Sequence, residues 1–311
     1  MLDPLLRDAI IYGGLLTLLS TGLTLTYMTT KVPNFAHGTF ATVGTYVSLT
    51  AARIWGQSPY LLLPLSFFLA ALIALALYVV ILRPLINRRS TFAFLMIATL
   101  AFDLLLLGML NVYADVLSRT FKVTSRYFVL RFEDFRFADQ PGLFFVTPAV
   151  VLATIVTIHI ALTRTKFGVA MRATVENPAL SSVVGINVGL VYAVSWFIAG
   201  GLGGVSGSLL TLWIAGNPDV GLSMLPSIFA ASIVGGFLNI YGAVLGGYLV
   251  GIAEILGTSY IASSIGSFVI AYRPLIPLFI IGITLLIAPA GLTAISRYPL
   301  VRLVRRLGAS N

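Results

Sequence analysis

Few residues of this chain have the type and placement to do chemistry. The segment Val32-Pro33-Asn34-Phe35-Ala36-His37-Gly38-Thr39 breaks a long apolar run. Pro33 removes a backbone donor and pushes Val32 toward extended geometry. A helix is therefore expected to begin just after it, with Asn34 as N-cap. His37 and Thr39 then fall in its first turns, and Tyr46 lies farther along the same helix. A helix start at membrane depth directs free N–H groups and partial positive charge at whatever precedes it. Broken helices hold substrate carboxylates in this way in transporters. The alternative is a short turn with a cap and a histidine bonded to a neighbouring helix. Both readings stand on the sequence.

Asp103 and Glu254 are the carboxylates set well inside apolar blocks. Each costs about 2.5–3.5 kcal/mol at a helix centre. Leu104 to Leu107 follow Asp103, at about −0.3 to −0.6 kcal/mol each, so that block can still insert. Each carboxylate needs a partner, and a functional role or a buried structural hydrogen bond would supply one. His159 sits near a block end and reads as an interfacial residue. With two histidines and no cysteine, neither a thiol nucleophile nor a Cys-ligated metal site is available. A catalytic set is lacking, so no enzyme, metal or cofactor is expected.

The elements that position these residues follow from composition. Of 311 residues, 59% are apolar and 9% charged, against about 25% charged in soluble domains. Lipid must replace water around most of the chain. Apolar blocks of about 20 residues cross the hydrocarbon as helices. The blocks are Ala9–Thr29, Asn34–Ala52, Tyr60–Leu82, Phe92–Val112, Leu143–Leu162, Val188–Ile214 and Leu275–Ala290. The Gly-rich stretch Leu222–Ile261 divides into a short block and a full one. The expected fold is all-α: a polytopic transmembrane helical bundle of about eight or nine spans. Leu222–Leu238 can be a half-helix or re-entrant segment, tolerated only where protein or a water-filled cavity covers it. The first block starts near Asp8, has an acidic flank and runs too long for a leader's apolar core.

The net charge of +9 implies orientation rather than nucleic acid, because the basic residues cluster between blocks. Arg83, Arg88 and Arg89, then Arg164, Lys166 and Arg172, then Arg297, Arg302, Arg305 and Arg306 fall on one side if there are nine spans. That side should be cytoplasmic, with the N-terminus outside and the C-terminus inside. The connection Tyr113–Gly142 mixes five basic with four acidic residues and suits the external side. Its aromatics, Tyr127, Phe128, Phe132, Phe135 and Phe137, are expected at the interface.

Glycines concentrate late in the chain. Gly200 and Gly204, Gly203 and Gly207, Gly242 and Gly246, and Gly247 and Gly251 are small-xxx-small pairs that let helix backbones approach in lipid. The expectation is packing of the sixth and eighth blocks against each other or against a second subunit. Residues 163–187 differ from everything else. Asn177-Pro178 is a helix start with Asn as N-cap and Pro at the first position, and Gly185 ends the short helix. Phe167, Ala170 and Met171 recur at helical spacing upstream, and Arg172 and Glu176 form an i,i+4 pair. Such an element can lie on the membrane or dock into another protein.

Four stretches then fit one pattern. VPNFAHGTFATVGTYV (Val32 to Val47) resembles the signature of LivH-type permeases, the membrane subunits of branched-chain amino acid ABC importers. GVAMRATVENPALSSVVGIN (Gly168 to Asn187) is similar to their cytoplasmic loop. IVGGFLNIYGAVLGGYLVGIAE (Ile233 to Glu254) and APAGL (Ala288 to Leu292) resemble their later segments, in the family's order. The resemblance implies one permease domain over residues 1–311 in a prokaryotic inner membrane. It also implies a second homologous permease subunit, two ABC ATPase subunits and an extracytoplasmic substrate-binding protein. It makes 163–187 the coupling loop, with Arg172, Glu176, Asn177, Pro178, Ala179 and Gly185 as contact residues. The chain has no G-x-x-x-x-G-K-[ST] run to hold ATP phosphates, so energy must arrive through that loop. A permease for urea or short amides would look similar. A proton-coupled secondary transporter using Asp103 or Glu254 is the competing class.

Overall fold

The computed structural model describes residues 3–293. Helices α1 (Pro4–Thr30) and α2 (His37–Arg53) come first, and α3 is the continuous Pro59–Asn87. Within α3, Leu77–Leu82 is wound as π-helix just before Pro84. Proline cannot supply the next i→i−4 bond, and the wider i→i−5 winding before it takes up the missing donor locally. Next come α4 (Phe92–Thr120) and α5 (Leu143–Arg164). Between them lies a hairpin of β1 (Arg136–Phe137) and β2 (Gln140–Pro141), turned at Ala138 and Asp139 with positive φ. Two short helices, α6 (Lys166–Glu176) and α7 (Pro178–Val183), lead into α8 (Val188–Leu210). The last are α9 (Val220–Gly235), α10 (Ile240–Ile265) and α11 (Leu275–Ile287).

Helix α1 is the axis of the bundle, packed against α10, α8, α5 and α9. Helix α2 is enclosed by α8, α9 and α3, and all of its residues from His37 to Ala51 are buried. Both helices are rich in Gly, Ser and Thr, and this explains how they can sit inside. At Gly38 and Gly221 the backbones of α2 and α9 touch, so an added Cβ on either would strike the other's carbonyl. A Cβ on Gly44 would strike the Gly204 carbonyl, and one on Gly207 the Ala41 carbonyl. Hydroxyls then bond across these seams: Thr45 donates to the Gly207 carbonyl at 3.2 Å, Ser48 to the Ser208 carbonyl at 3.2 Å and Ser20 to the Ala243 carbonyl at 3.0 Å. Small residues supply approach and hydroxyls supply direction, which is how helices associate without a hydrophobic drive.

Helices α4, α5 and α11 lie outside. Phe94, Ile97 and Leu104 of α4, Leu152 of α5 and Phe279 and Leu286 of α11 are all exposed. A water-facing protein rarely shows an apolar surface this continuous, so this face meets lipid. Six helices are long and apolar enough to span: α1, α3, α4, α5, α8 and α10. The chain is a multi-pass helical membrane protein.

Several expectations shift. Helix α2 starts at His37 with Ala36 as its cap, and the Asn34 carboxamide instead accepts from the Ala36 amide at 3.1 Å in a local turn. Asn34 is therefore not the N-cap, because three residues are consumed in reversing the chain. Helices α2, α9 and α11, of 17, 16 and 13 residues, fall short of the usual 20. Helix α4 continues to Thr120, eight residues past Val112. Its last turns are held by Asp115 paired with Arg126 at 2.8 Å and by Ser125 bonded to the Ala114 carbonyl at 2.6 Å. Phe128 is buried instead of interfacial, paired with Gly216 through two backbone bonds. The late glycines do mark close approaches, but α8 and α10 are separated by α1. Gly200 and Gly204 face Ala70 and Ser66 of α3, Gly247 and Gly251 face Thr17 and Gly13 of α1, and Gly242 and Gly246 face α9. Arg297, Arg302, Arg305 and Arg306 lie outside the described residues.

Candidate functional site

The break between α1 and α2 is built from both sides. Helix α1 ends at Lys31 in the left-handed region, φ 58, and the chain turns through Pro33 and Asn34. Helix α4 then clasps it. The Thr99 hydroxyl bonds the Pro33 carbonyl at 3.3 Å and receives the Phe35 amide at 3.4 Å. One turn later, Asp103 accepts a hydrogen bond from the Thr39 hydroxyl. Asp103 is fully buried, and its Oδ2 has no partner among the described residues. The carboxylate thus fixes the first turn of α2 against α4 and keeps one oxygen uncommitted.

His37 is also fully buried. Its Nε2 lies 2.9 Å from the Leu19 carbonyl, and its ring fills the space above Gly22. It keys α2 into α1, while its Nδ1 and the Asn34 Nδ2 lack partners among the described residues. Neither residue borders any of the cavities below.

Tyr46 does. It lines a cavity of ≈ 410 Å³ between α2, α3 and α4. Val43, Val47, Ile73, Leu106 and Leu110 make the wall aliphatic. Three hydroxyls, of Tyr46, Thr50 and Tyr113, gather at one end, with Thr50 and Tyr113 2.7 Å apart. The Tyr46 hydroxyl donates to the Ser125 carbonyl at 2.9 Å, tying α2 to the connection after α4. Ligand cavities are commonly about 300–1,000 Å³, apolar with a few placed polar groups, and this one fits that description.

A model of the family described as branched-chain amino acid transport system permease component matches residues 5–289. The chain belongs to this family. A probable branched-chain amino acid transport permease protein LivH of Methanocaldococcus jannaschii is 45% identical over 96% of this permease and 95% of the relative. The LivH permease of the high-affinity branched-chain amino acid transport system of Escherichia coli K12 is 27% identical over 92% and 93%. A nucleoside ABC transporter permease protein, NupC of Lactococcus lactis, is 36% identical over 29% of each chain. No solved structure matches.

Within the permease, Glu254 has more partners than its sequence position foretold. It accepts from the Tyr12 hydroxyl at 3.0 Å and the Ser227 hydroxyl at 2.8 Å, and pairs with Arg273 Nε at 2.7 Å. The Arg273 guanidinium lies over the Tyr12 ring, 4.4 Å from its centroid, and Tyr12 stacks on Trp213. The cluster joins α1, α9, α10 and the start of α11. Sequence reasoning missed Arg273, Tyr12, Ser227 and Trp213. One signal existed: Arg273 is the lone cation between the apolar blocks that end at Ile261 and begin at Leu275, outside the three basic clusters.

At the opposite end, Asn177 accepts from the Leu180 amide at 3.0 Å, capping α7, and Gly185 follows it with φ +88. Leu180, Val183 and Val184 are exposed there. Arg172 does not pair with Glu176; its Nη1 donates to the Leu162 carbonyl and closes the end of α5. Ala179 and Pro178 lie on α7 beside these residues. His159 bonds the Tyr241 hydroxyl at 2.8 Å near the same end. No group of three or more His, Cys, Asp or Glu able to hold a metal occurs among the described residues.

Proposed function

We propose that this permease forms half of a passage for amino acids with aliphatic side chains, in an ABC importer of the prokaryotic inner membrane. The importer contains a second homologous permease subunit, two ATPase subunits and an extracytoplasmic substrate-binding protein. The observation that carries the substrate class is the aliphatic cavity between α2, α3 and α4, with its hydroxyls at one end. It accommodates a branched side chain and offers polar partners to the amino acid head. The names of the relatives over nearly the whole chain support the same reading.

In this reading the N-terminus is external, nine crossings include the short α2, α9 and α11, and residues 163–187 are cytoplasmic. The Asn34–Thr39 break, fixed by Asp103, is where α2 can tilt and change the exposure of Tyr46. His37 keys the pivot to α1. Helix α7, capped by Asn177 and Pro178 and stopped at Gly185, carries an apolar surface that docks on the ATPase; Glu176, Ala179 and Arg172 complete the contact.

Reconstituted importer, with binding protein outside and ATP inside, tests both parts. Val47→Trp, which fills the cavity, should abolish leucine uptake while leaving the complex assembled. Alanine at Glu176, Asn177 and Pro178 should abolish ATP-driven uptake without removing the permease from the membrane. Uptake that persists with no ATPase present would defeat the importer reading and favour proton coupling.

A further inference from the structure

A second cavity, also ≈ 410 Å³, lies at the end of the bundle that carries α6 and α7. Its wall is mainly aliphatic, with Met28 of α1, Leu162 of α5, Met171 and Val175 of α6, and Leu238 and Ile240 at the start of α10, and Thr163, Asn239 and Tyr241 add polar groups. Arg172 and Glu176 border it, one helical turn apart on α6. They form no ion pair with each other among the described residues. Their order along the helix, cation before carboxylate, is the less favourable one for an i,i+4 pair. Arg172 commits one nitrogen to the Leu162 carbonyl, leaving further donors in its fork. The Glu176 carboxylate has no described partner.

Among the described residues, a half-open apolar cavity bordered by a guanidinium with spare donors and an unpaired carboxylate suits a zwitterion with an uncharged aliphatic side chain. A cationic or anionic ligand would leave one of the two charges uncompensated. We infer that this cavity binds an amino acid with an aliphatic side chain from the cytoplasm, carboxylate on Arg172 and ammonium on Glu176. The inference rests on the cytoplasmic placement of 163–187 given above. Arg172 and Glu176 also belong to the ATPase contact proposed above, and Glu176 immediately precedes Asn177, the cap of α7, so an occupant would draw both side chains away from that contact. Accumulated product then slows its own import.

The test uses importer in liposomes, with ATP and unlabelled leucine inside and binding protein with radiolabelled leucine outside. Internal leucine should lower the initial uptake rate and ATP hydrolysis together, several-fold, whereas internal aspartate should not. Met28→Trp and Leu238→Trp, which fill the cavity from two sides, should transport without this inhibition. Equilibrium dialysis of radiolabelled leucine against detergent-solubilised importer lacking binding protein should show binding that Glu176→Gln weakens by about tenfold. No inhibition of the wild type, or equal inhibition of both tryptophan variants, overturns the proposal. Failure of the coupling reading looks different: alanine at Asn177 and Pro178 would leave uptake intact while leucine still binds in dialysis.

Discussion

Removing the cation from the Glu254 cluster should be among the costliest polar changes in this permease. The Glu254 side chain is 4% exposed and that of Arg273 25%, so the pair is desolvated on one side and partly wet on the other. Breaking a buried ion pair by deleting one partner costs about 3–5 kcal/mol. In Arg273→Gln the carboxylate keeps its Tyr12 and Ser227 hydroxyls, which reduces the expected loss to about 2–3 kcal/mol. The converse change, Glu254→Gln, leaves a cation that can reach water and still lies over the Tyr12 ring. It should cost about half as much. The double variant should recover at least about 1 kcal/mol relative to the sum, since two neutral amides need no compensating charge. Titration with SDS in mixed micelles, read by helicity, gives the four stabilities of the cycle. If Glu254→Gln costs as much as Arg273→Gln and the two add, the pair is not desolvated and the reasoning is wrong.

Three further outcomes follow from contacts already described. Gly207→Ala places a Cβ on the Ala41 carbonyl and should sharply lower the yield of monodisperse protein. Gly108→Ala has nothing within 4 Å and should be neutral or stabilising by up to about 1 kcal/mol; equal behaviour of the two would discredit the packing of α2 on α8. Thr39→Val leaves Asp103 without its donor and should cost about 1–3 kcal/mol in the same titration, with Thr39→Ser recovering most of it. Asn177→Ala should lower ATP-driven uptake several-fold through loss of a cap worth about 1 kcal/mol, and Asn177→Asp should retain most activity.

Composition and block length were enough to establish a helical bundle in lipid, because an apolar run can satisfy its backbone there only as a helix. The cap at Asn177, the stop at Gly185 and the break at Pro33 were equally legible, since each depends on neighbours within a few residues. The glycine pairs announced close contact, but not with what. Their partners, on α1, α2, α3 and α9, were set by shape over the whole bundle, in which α1 lies between α8 and α10. The same limit explains Asn34, whose role changed once α4 clasped the turn through Thr99. Asp103 and Glu254 each demanded a partner by their cost in lipid. Which hydroxyl or guanidinium answered, 64 residues away for Thr39 and 242 for Tyr12, is information that only packing creates. A burial cost belongs to one residue and can be read from the sequence; its compensation belongs to a contact, and the fold decides it.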